Sequence, residues 1–120
     1  AAELRELQGL VREVLCGTHL VRLVAEILAE THPQSKTASD RTRRFVRFGA
    51  SARAGQAIIL GAKARALMAG RPAVTREDVD LCLVPALRHR VLLGYEAEAA
   101  DMATQDLVPE WVAAAERRAK

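Results

Sequence analysis

Aromatic residues make up only 3% of the 120 residues, although half of the chain is hydrophobic. Most of the hydrophobic residues are Ala, Leu and Val, a composition that favours helix over strand. No hydrophobic run is long enough to cross a bilayer, and no signal-peptide pattern occurs. We therefore expect a soluble, cytoplasmic protein with no membrane partner. The length suits one domain with one modest core.

Metal-binding and disulfide patterns are also missing. Cys16 and Cys82 are too few for a disulfide framework, which predicts two reduced core residues. His19, His32 and His89 do not have the spacing of zinc ligands. The sequence therefore predicts no metal site.

Motifs for catalysis are absent as well. The chain has no G-x-x-x-x-G-K-[ST] phosphate loop, and no apolar strand that ends in Asp-Glu to hold magnesium. Spacing does not test for a catalytic triad, whose members meet only in the fold, and no feature of the sequence indicates one. We expect this chain by itself to catalyse nothing.

Hydrophobic periodicity predicts an all-α fold, a small bundle of four to five helices, with a short extended segment near residues 90–93. We interpret residues 1–120 as a single domain, in which a C-terminal helix within 104–120 packs on the rest through Trp111. The predicted helices cover about residues 3–15, 18–31, 51–69, 75–85 and 106–118.

Several helix boundaries have sequence signals. Thr18 is a predicted N-cap, and Thr75 with Asp78 resembles a capping box. Pro85 is predicted to end or kink its helix. Pro109 is expected within the first turn of the last helix.

The helix predicted at 51–69 is the centre of the bundle, because residues 57–62 carry no charged or polar side chain. A helix that is apolar nearly all round is buried on several sides. Ser51 occupies its N-cap position, where the hydroxyl can accept a bond from a backbone N–H.

Arg53 is the exception in this helix. A cation in the first turn is disfavoured by the helix dipole by about 0.3–1 kcal/mol. Free backbone N–H groups and a guanidinium at a helix start form a phosphate-binding arrangement. The alternative is a solvated arginine at a helix end.

The net charge of +3 and a pI near 9.3 permit a nucleic-acid or phosphate partner without requiring one. A basic segment precedes the central helix and is either a patch that faces a partner or a solvated loop rim. Its arginines are Arg41, Arg43, Arg44 and Arg47. A small basic DNA-binding or protein-interaction module is therefore an alternative, as is a scaffold without a ligand. No predicted helix has the polar face of a recognition helix, so nucleic acid is not the expected partner.

Three segments carry a resemblance to a known family. Residues 49–54, G-A-S-A-R-A, resemble the G-A-S-P-R-A signature of the MoxR family of AAA+ ATPases. The likeness continues through G-R-P-A-V-T at 70–75 and E-D-V at 77–79, and ends with L-R-H-R-V-L-L at 87–93. In order and spacing, the chain resembles the C-terminal helical lid of a MoxR-type ATPase.

The resemblance implies a nucleotide site. Arg53 matches the sensor-2 arginine, which contacts the phosphates of ATP, and Gly49, Ser51 and Ala52 form the cap and helix start around it. Ala52 stands where the family has proline, which implies a less rigid start to the helix.

The resemblance also implies a longer parent protein, and the first residue, Ala rather than Met, agrees with this. The parent would be an AAA+ ATP hydrolase whose core binds ATP and Mg²⁺, while the fragment alone binds neither. It would form a ring, expected to be a hexamer, and remodel or activate client complexes like a chaperone, with a von Willebrand factor A domain protein as partner. Candidate contacts to the core or a neighbouring subunit are Arg44, Arg47, Arg88, His89 and Arg90.

Overall fold

The computed structural model of the protein describes residues 2–119. Ala1 and Lys120, the ends of the predicted domain 1–120, lie outside the described residues, and so does the last residue of the segment 104–120. No helix in the described part of the chain is both long and apolar enough to span a membrane.

The predicted all-α fold is confirmed, with seven helices in residues 2–119 rather than four or five. Two of the additional helices are short, at five and six residues. The predicted extended segment is confirmed as a strand that pairs antiparallel with a second short strand. The elements are α1 Ala2–Glu13, α2 Thr18–Glu30, α3 Asp40–Phe45, β1 Val46–Phe48, α4 Ala52–Met68, α5 Arg76–Leu87, β2 Leu92–Leu93, α6 Tyr95–Ala99 and α7 Thr104–Ala119.

Helix α4 is the central helix, as predicted, and packs against α1, α2 and α5. Its core-facing stripe of small and branched residues is fully buried, and consists of Ala54, Ile58, Ala62 and Ala66. Gly61 lets α5 come close, since a Cβ there would lie 3.1 Å from the Cys82 sulfur. Part of the apolar surface of α4 remains open to solvent in the described structure, since Leu60 is 49% exposed.

Three predicted boundaries were wrong. Thr18 is the first residue of α2, and Gly17 occupies the N-cap position. Pro85 does not end α5, because the helix continues to Leu87. Pro85 and the residue four positions earlier are both exposed, so water can hydrate the carbonyl that loses its partner. Pro109 lies beyond the first turn of α7, because that helix begins at Thr104.

The predicted anchoring role of Trp111 is confirmed. The indole is 1% exposed, and its Nε1 donates a 2.8 Å hydrogen bond to the Thr42 hydroxyl on α3. Helix α7 also packs against α2 and α5.

The capping box at the start of α5 is confirmed, and it holds a buried charge. Thr75 and Asp78 bond each other reciprocally, and Asp78 is only 2% exposed. Arg71, in the turn between α4 and α5, donates two hydrogen bonds of 2.6 and 2.8 Å to the same carboxylate. These Arg71 bonds, helped by Thr75, hold the pKa of Asp78 well below its usual range. The turn is thereby tied to the first turn of α5.

Candidate functional site

Arg53 is the second residue of α4, and its side chain is exposed. Within residues 2–119 it has no ion pair, and the first turn of α4 contains no acidic residue. The guanidinium therefore carries a positive charge that the described residues do not neutralise. Arg53 thus lies in the first turn of the helix, as predicted.

The start of α4 has no cap bond from its N-cap side chain, while Ala54 N–H bonds the Ser51 carbonyl at 3.0 Å. Ser51 occupies the N-cap position, as predicted, but its hydroxyl makes no cap hydrogen bond, so that part of the prediction was wrong. Ser51 is exposed, and solvent can hydrate both its hydroxyl and the nearby N–H groups. Ala52 begins the helix without a proline ring. Uncapped amides beside an exposed arginine have the chemistry of an anion-binding helix start.

The segment that leads into α4 is held by the end of α2. The Thr31 hydroxyl accepts a 2.9 Å hydrogen bond from Ala50 N–H, and it donates a 2.6 Å bond to the carbonyl of Leu28. The His32 Nε2 lies 2.9 Å from the Ala50 carbonyl oxygen, and donates to it when that nitrogen carries the proton. We call Thr31 and His32, with these bonds to Ala50, the Ala50 clamp.

Gly49 lies against this clamp. A Cβ at this position would be 2.8 Å from the Thr31 carbonyl oxygen and 2.7 Å from the His32 Nδ1. Real Cβ atoms do not approach backbone atoms so closely. Gly49 is thus required by the contact between the two segments.

Sequence reasoning missed the Ala50 clamp. From the sequence, His32 was excluded as a zinc ligand and Thr31 had no predicted role. The available signal was Thr-His at the end of a helix, directly before the helix-stopping Pro33. Only the fold shows that these residues face Ala50.

Two candidate interface residues already interact within the domain. Arg44 forms an ion pair with Glu96 at 2.7 Å, and its guanidinium lies 5.1 Å from the centre of the Phe45 ring. Arg47 lies 5.5 Å above the ring of Phe48. Both side chains remain exposed.

The other candidates, Arg88, His89 and Arg90, form an exposed turn after α5. The Arg90 Nη1 donates a 3.0 Å bond to the carbonyl of Ala86. Because β1 precedes α4, β2 follows α5 and the two strands pair, this turn lies at the same end of the bundle as Arg53.

The remaining arginines of the basic segment are also partly neutralised. Arg41 lies 3.8 Å from the Glu110 carboxylate, and Arg43 lies 4.0 Å from that of Asp40. Together with the Arg44 pair, these contacts interrupt the positive patch. Such contacts between exposed side chains are weak, so the arginines remain available to solvent.

Comparison with known proteins identifies the family. A family model described as the AAA lid domain matches residues 38–111, which is more than half of the chain. The chain belongs to the AAA lid domain family. The matched part contains Gly49, Ser51 and Arg53, whereas Thr31 and His32 precede it.

Two relatives refine this assignment. Chaperone MoxR1 of Mycobacterium tuberculosis is 30% identical over 106 residues, covering 88% of this chain and 28% of MoxR1. A crystal structure of a Cytophaga hutchinsonii protein, described as an ATPase, matches with a TM-score of 0.80 and 26% identity, over 87% of this chain and 32% of that one. The resemblance in the sequence is confirmed: this is an AAA+ lid domain of the MoxR type. The lid spans less than a third of the length of either relative.

Proposed function

We propose that this lid supplies Arg53 to the nucleotide site of a MoxR-type AAA+ ATPase, where the guanidinium contacts the phosphates of ATP as a sensor-2 arginine. The observation that carries the proposal is an exposed arginine without an ion pair in residues 2–119, beside the uncapped amides of a helix start. Gly49, Ser51 and Ala52 form the surrounding backbone. These residues suit a phosphate group in both charge and hydrogen-bonding capacity.

The chemistry follows from where charge develops during hydrolysis. Phosphoryl transfer redistributes negative charge over the phosphate oxygens, and a guanidinium held in place stabilises that charge. The planar fork of Arg53 can donate two parallel bonds to such oxygens, which a lysine cannot. Mg²⁺ would be held by the core of the ATPase, since residues 2–119 offer no group of three His, Cys, Asp or Glu side chains that could hold a metal ion.

The wider role of the ATPase is inferred from its family. Residues 1–120 would act as a single lid domain that moves as a rigid body against the core while the nucleotide changes. The ATPase would assemble as a cytoplasmic ring, which we take to be a hexamer, and would remodel client complexes together with a von Willebrand factor A domain protein. The similarity to MoxR1, a chaperone, supports this assignment.

The same proposal gives a role to the end of the bundle that carries Arg53. The exposed turn of Arg88, His89 and Arg90 would contact the core or a neighbouring subunit, and Arg44 and Arg47 would extend this interface. Its position at the Arg53 end supports this assignment.

The test is ATP turnover by the full-length ATPase with Arg53→Ala. We expect kcat to fall by roughly 100-fold, the effect of removing one donor to a developing charge, while ATP still binds. Arg53→Lys should recover only part of the rate, because it lacks the fork. Arg22→Ala is the matched control, since Arg22 is exposed on α2 and has no ion pair in the described residues.

An unchanged kcat for Arg53→Ala, in a variant that folds and assembles, would refute the sensor role. An equal fall for Arg22→Ala would also refute it, because the effect would then not be specific to the start of α4. Fluorescent-nucleotide binding separates a loss of affinity from a loss of turnover.

A further inference from the structure

Both backbone polar groups of Ala50 are held by side chains of the two residues that directly follow α2. Ala50 N–H donates to the Thr31 hydroxyl, and the Ala50 carbonyl oxygen faces the His32 Nε2, each at 2.9 Å. Ala50 and Thr31 are at most 1% exposed. Water therefore does not replace the Thr31 bond.

The start of α4 has no side-chain cap or proline of its own to add to this hold. The Ser51 hydroxyl makes no cap bond, and Ala52 has no ring to preset its φ angle. Ala50 directly precedes Ser51 and lies three residues before Arg53. The bonds from Thr31 and His32 therefore hold the residue before the N-cap, in addition to the burial of Ala54 and the pairing of β1 with β2.

The donor and acceptor roles of the Thr31 hydroxyl in the clamp are fixed. The Thr31 hydroxyl has one hydrogen, and it points to the Leu28 carbonyl at 2.6 Å. A lone pair is then left for Ala50 N–H, so the hydroxyl cannot rotate without losing one of the two bonds. Gly49 adds a close backbone contact on the same side. The segment before α4 thus has one preferred position.

We propose that Thr31 and His32 are positioning residues for Arg53. They hold Ala50 so that the first turn of α4 presents the guanidinium in one orientation. The inference rests on the proposed contact of Arg53 with phosphate. It assigns a role in turnover to two residues directly after α2 that would not touch the nucleotide.

The test is a double-mutant cycle in the full-length ATPase, with Thr31→Val, Arg53→Ala and the double variant. Valine keeps the shape of threonine and removes both hydroxyl bonds. We expect Thr31→Val to lower kcat by about tenfold with little change in KM, since small displacements of a catalytic group cost one to two powers of ten. Thr31→Ser keeps the hydroxyl and should restore most of the rate. In the Arg53→Ala background, Thr31→Val should cause no further loss.

The outcomes distinguish failure of the positioning role of Thr31 from failure of the sensor role of Arg53. If Thr31→Val lowers kcat by the same factor with and without Arg53, Thr31 is only structural and the positioning role is overturned. If Arg53→Ala lowers kcat but Thr31→Val does not, the positioning role again fails, and the sensor role stands. If Arg53→Ala alone has no effect, the proposed function fails first.

His32→Ala decides the question if Thr31→Val does not fold. His32 is exposed, so its removal disturbs the core less, yet it deletes the bond to the Ala50 carbonyl. The same cycle with Arg53→Ala should be non-additive. His19→Ala is the control, since His19 is an exposed histidine at the other end of α2. An additive result for His32→Ala, or an equal loss for His19→Ala, would overturn the proposal.

Discussion

The indole Nε1 of Trp111 and the hydroxyl of Thr42 lie 2.8 Å apart in the buried core, across 69 residues of sequence. Thr42 is in α3, where its backbone N–H donates to the N-cap hydroxyl of Ser39. The hydroxyl of Ser39 in turn donates to that of Thr42. The bond therefore joins α7 to the short helix that leads into β1.

Thr42→Val should destabilise the protein by about 1–3 kcal/mol, because the indole N–H would remain buried without an acceptor. Thr18→Val is the matched control, since Thr18 is exposed, and its change should stay within about 0.5 kcal/mol. Trp111 is the single tryptophan, so its fluorescence reports urea unfolding directly. Equal midpoints for the two variants would show that the bond contributes nothing.

Asp78 should make stability depend on pH in the acid range. Its pKa is held well below the usual value by Arg71, whereas in the unfolded chain an aspartate titrates near pH 4. The depressed pKa stabilises the fold fully above about pH 4, and this contribution is lost as the pH falls further towards the folded pKa. Asp78→Asn should cost about 3 kcal/mol at neutral pH, because a buried ion pair is broken.

Asp80→Asn provides the comparison for this prediction. Asp80 pairs with Arg76 at 2.9 Å, but its side chain is about half exposed, so removal of its charge should cost about 0–1 kcal/mol. The stability difference between the native protein and Asp78→Asn should narrow as urea titrations move from about pH 6 to about pH 3. A difference that stays constant with pH would show that Asp78 does not contribute through its charge.

Replacement of Gly49 by alanine and replacement of Gly9 by alanine should change the stability of the protein in opposite directions. Gly49→Ala places a Cβ against the Thr31 carbonyl and the His32 ring, and should destabilise the protein by about 1–3 kcal/mol. Gly9, within α1, has nothing within 4 Å of an added Cβ. Gly9→Ala should stabilise the protein by about 0.5–1 kcal/mol, through helix propensity. Thermal unfolding of the two variants tests this, and a stable Gly49→Ala would exclude a tight contact there.

Local signals explain most of what the sequence predicted correctly. The capping box at Thr75, the central position of α4 and the N-cap position of Ser51 depend on nearby residues and on hydrophobic periodicity. Trp111 was predictable as an anchor because a single large aromatic residue in an alanine-rich chain has much surface to bury.

The errors involve surroundings that the local sequence does not contain. Pro85 is tolerated in α5 because it lies on an exposed side, and exposure is a property of the fold. The amphipathic pattern predicted α1, but Leu4 and Leu7 remain more than half exposed in the described structure. The Ala50 clamp joins residues that are 18 and 19 positions apart, so no local pattern indicates it.

Helices α4 and α5 form a hairpin that is closed at both ends. At one end, Arg71 ties the connecting turn to Asp78. At the other, β1 pairs with β2, and Gly94 N–H bonds the Phe45 carbonyl at 2.8 Å. A force applied at the first turn of α4 is therefore carried by a closed loop of chain rather than by one helix. We therefore expect residues 46–93 to move together as one unit, with bending concentrated outside them.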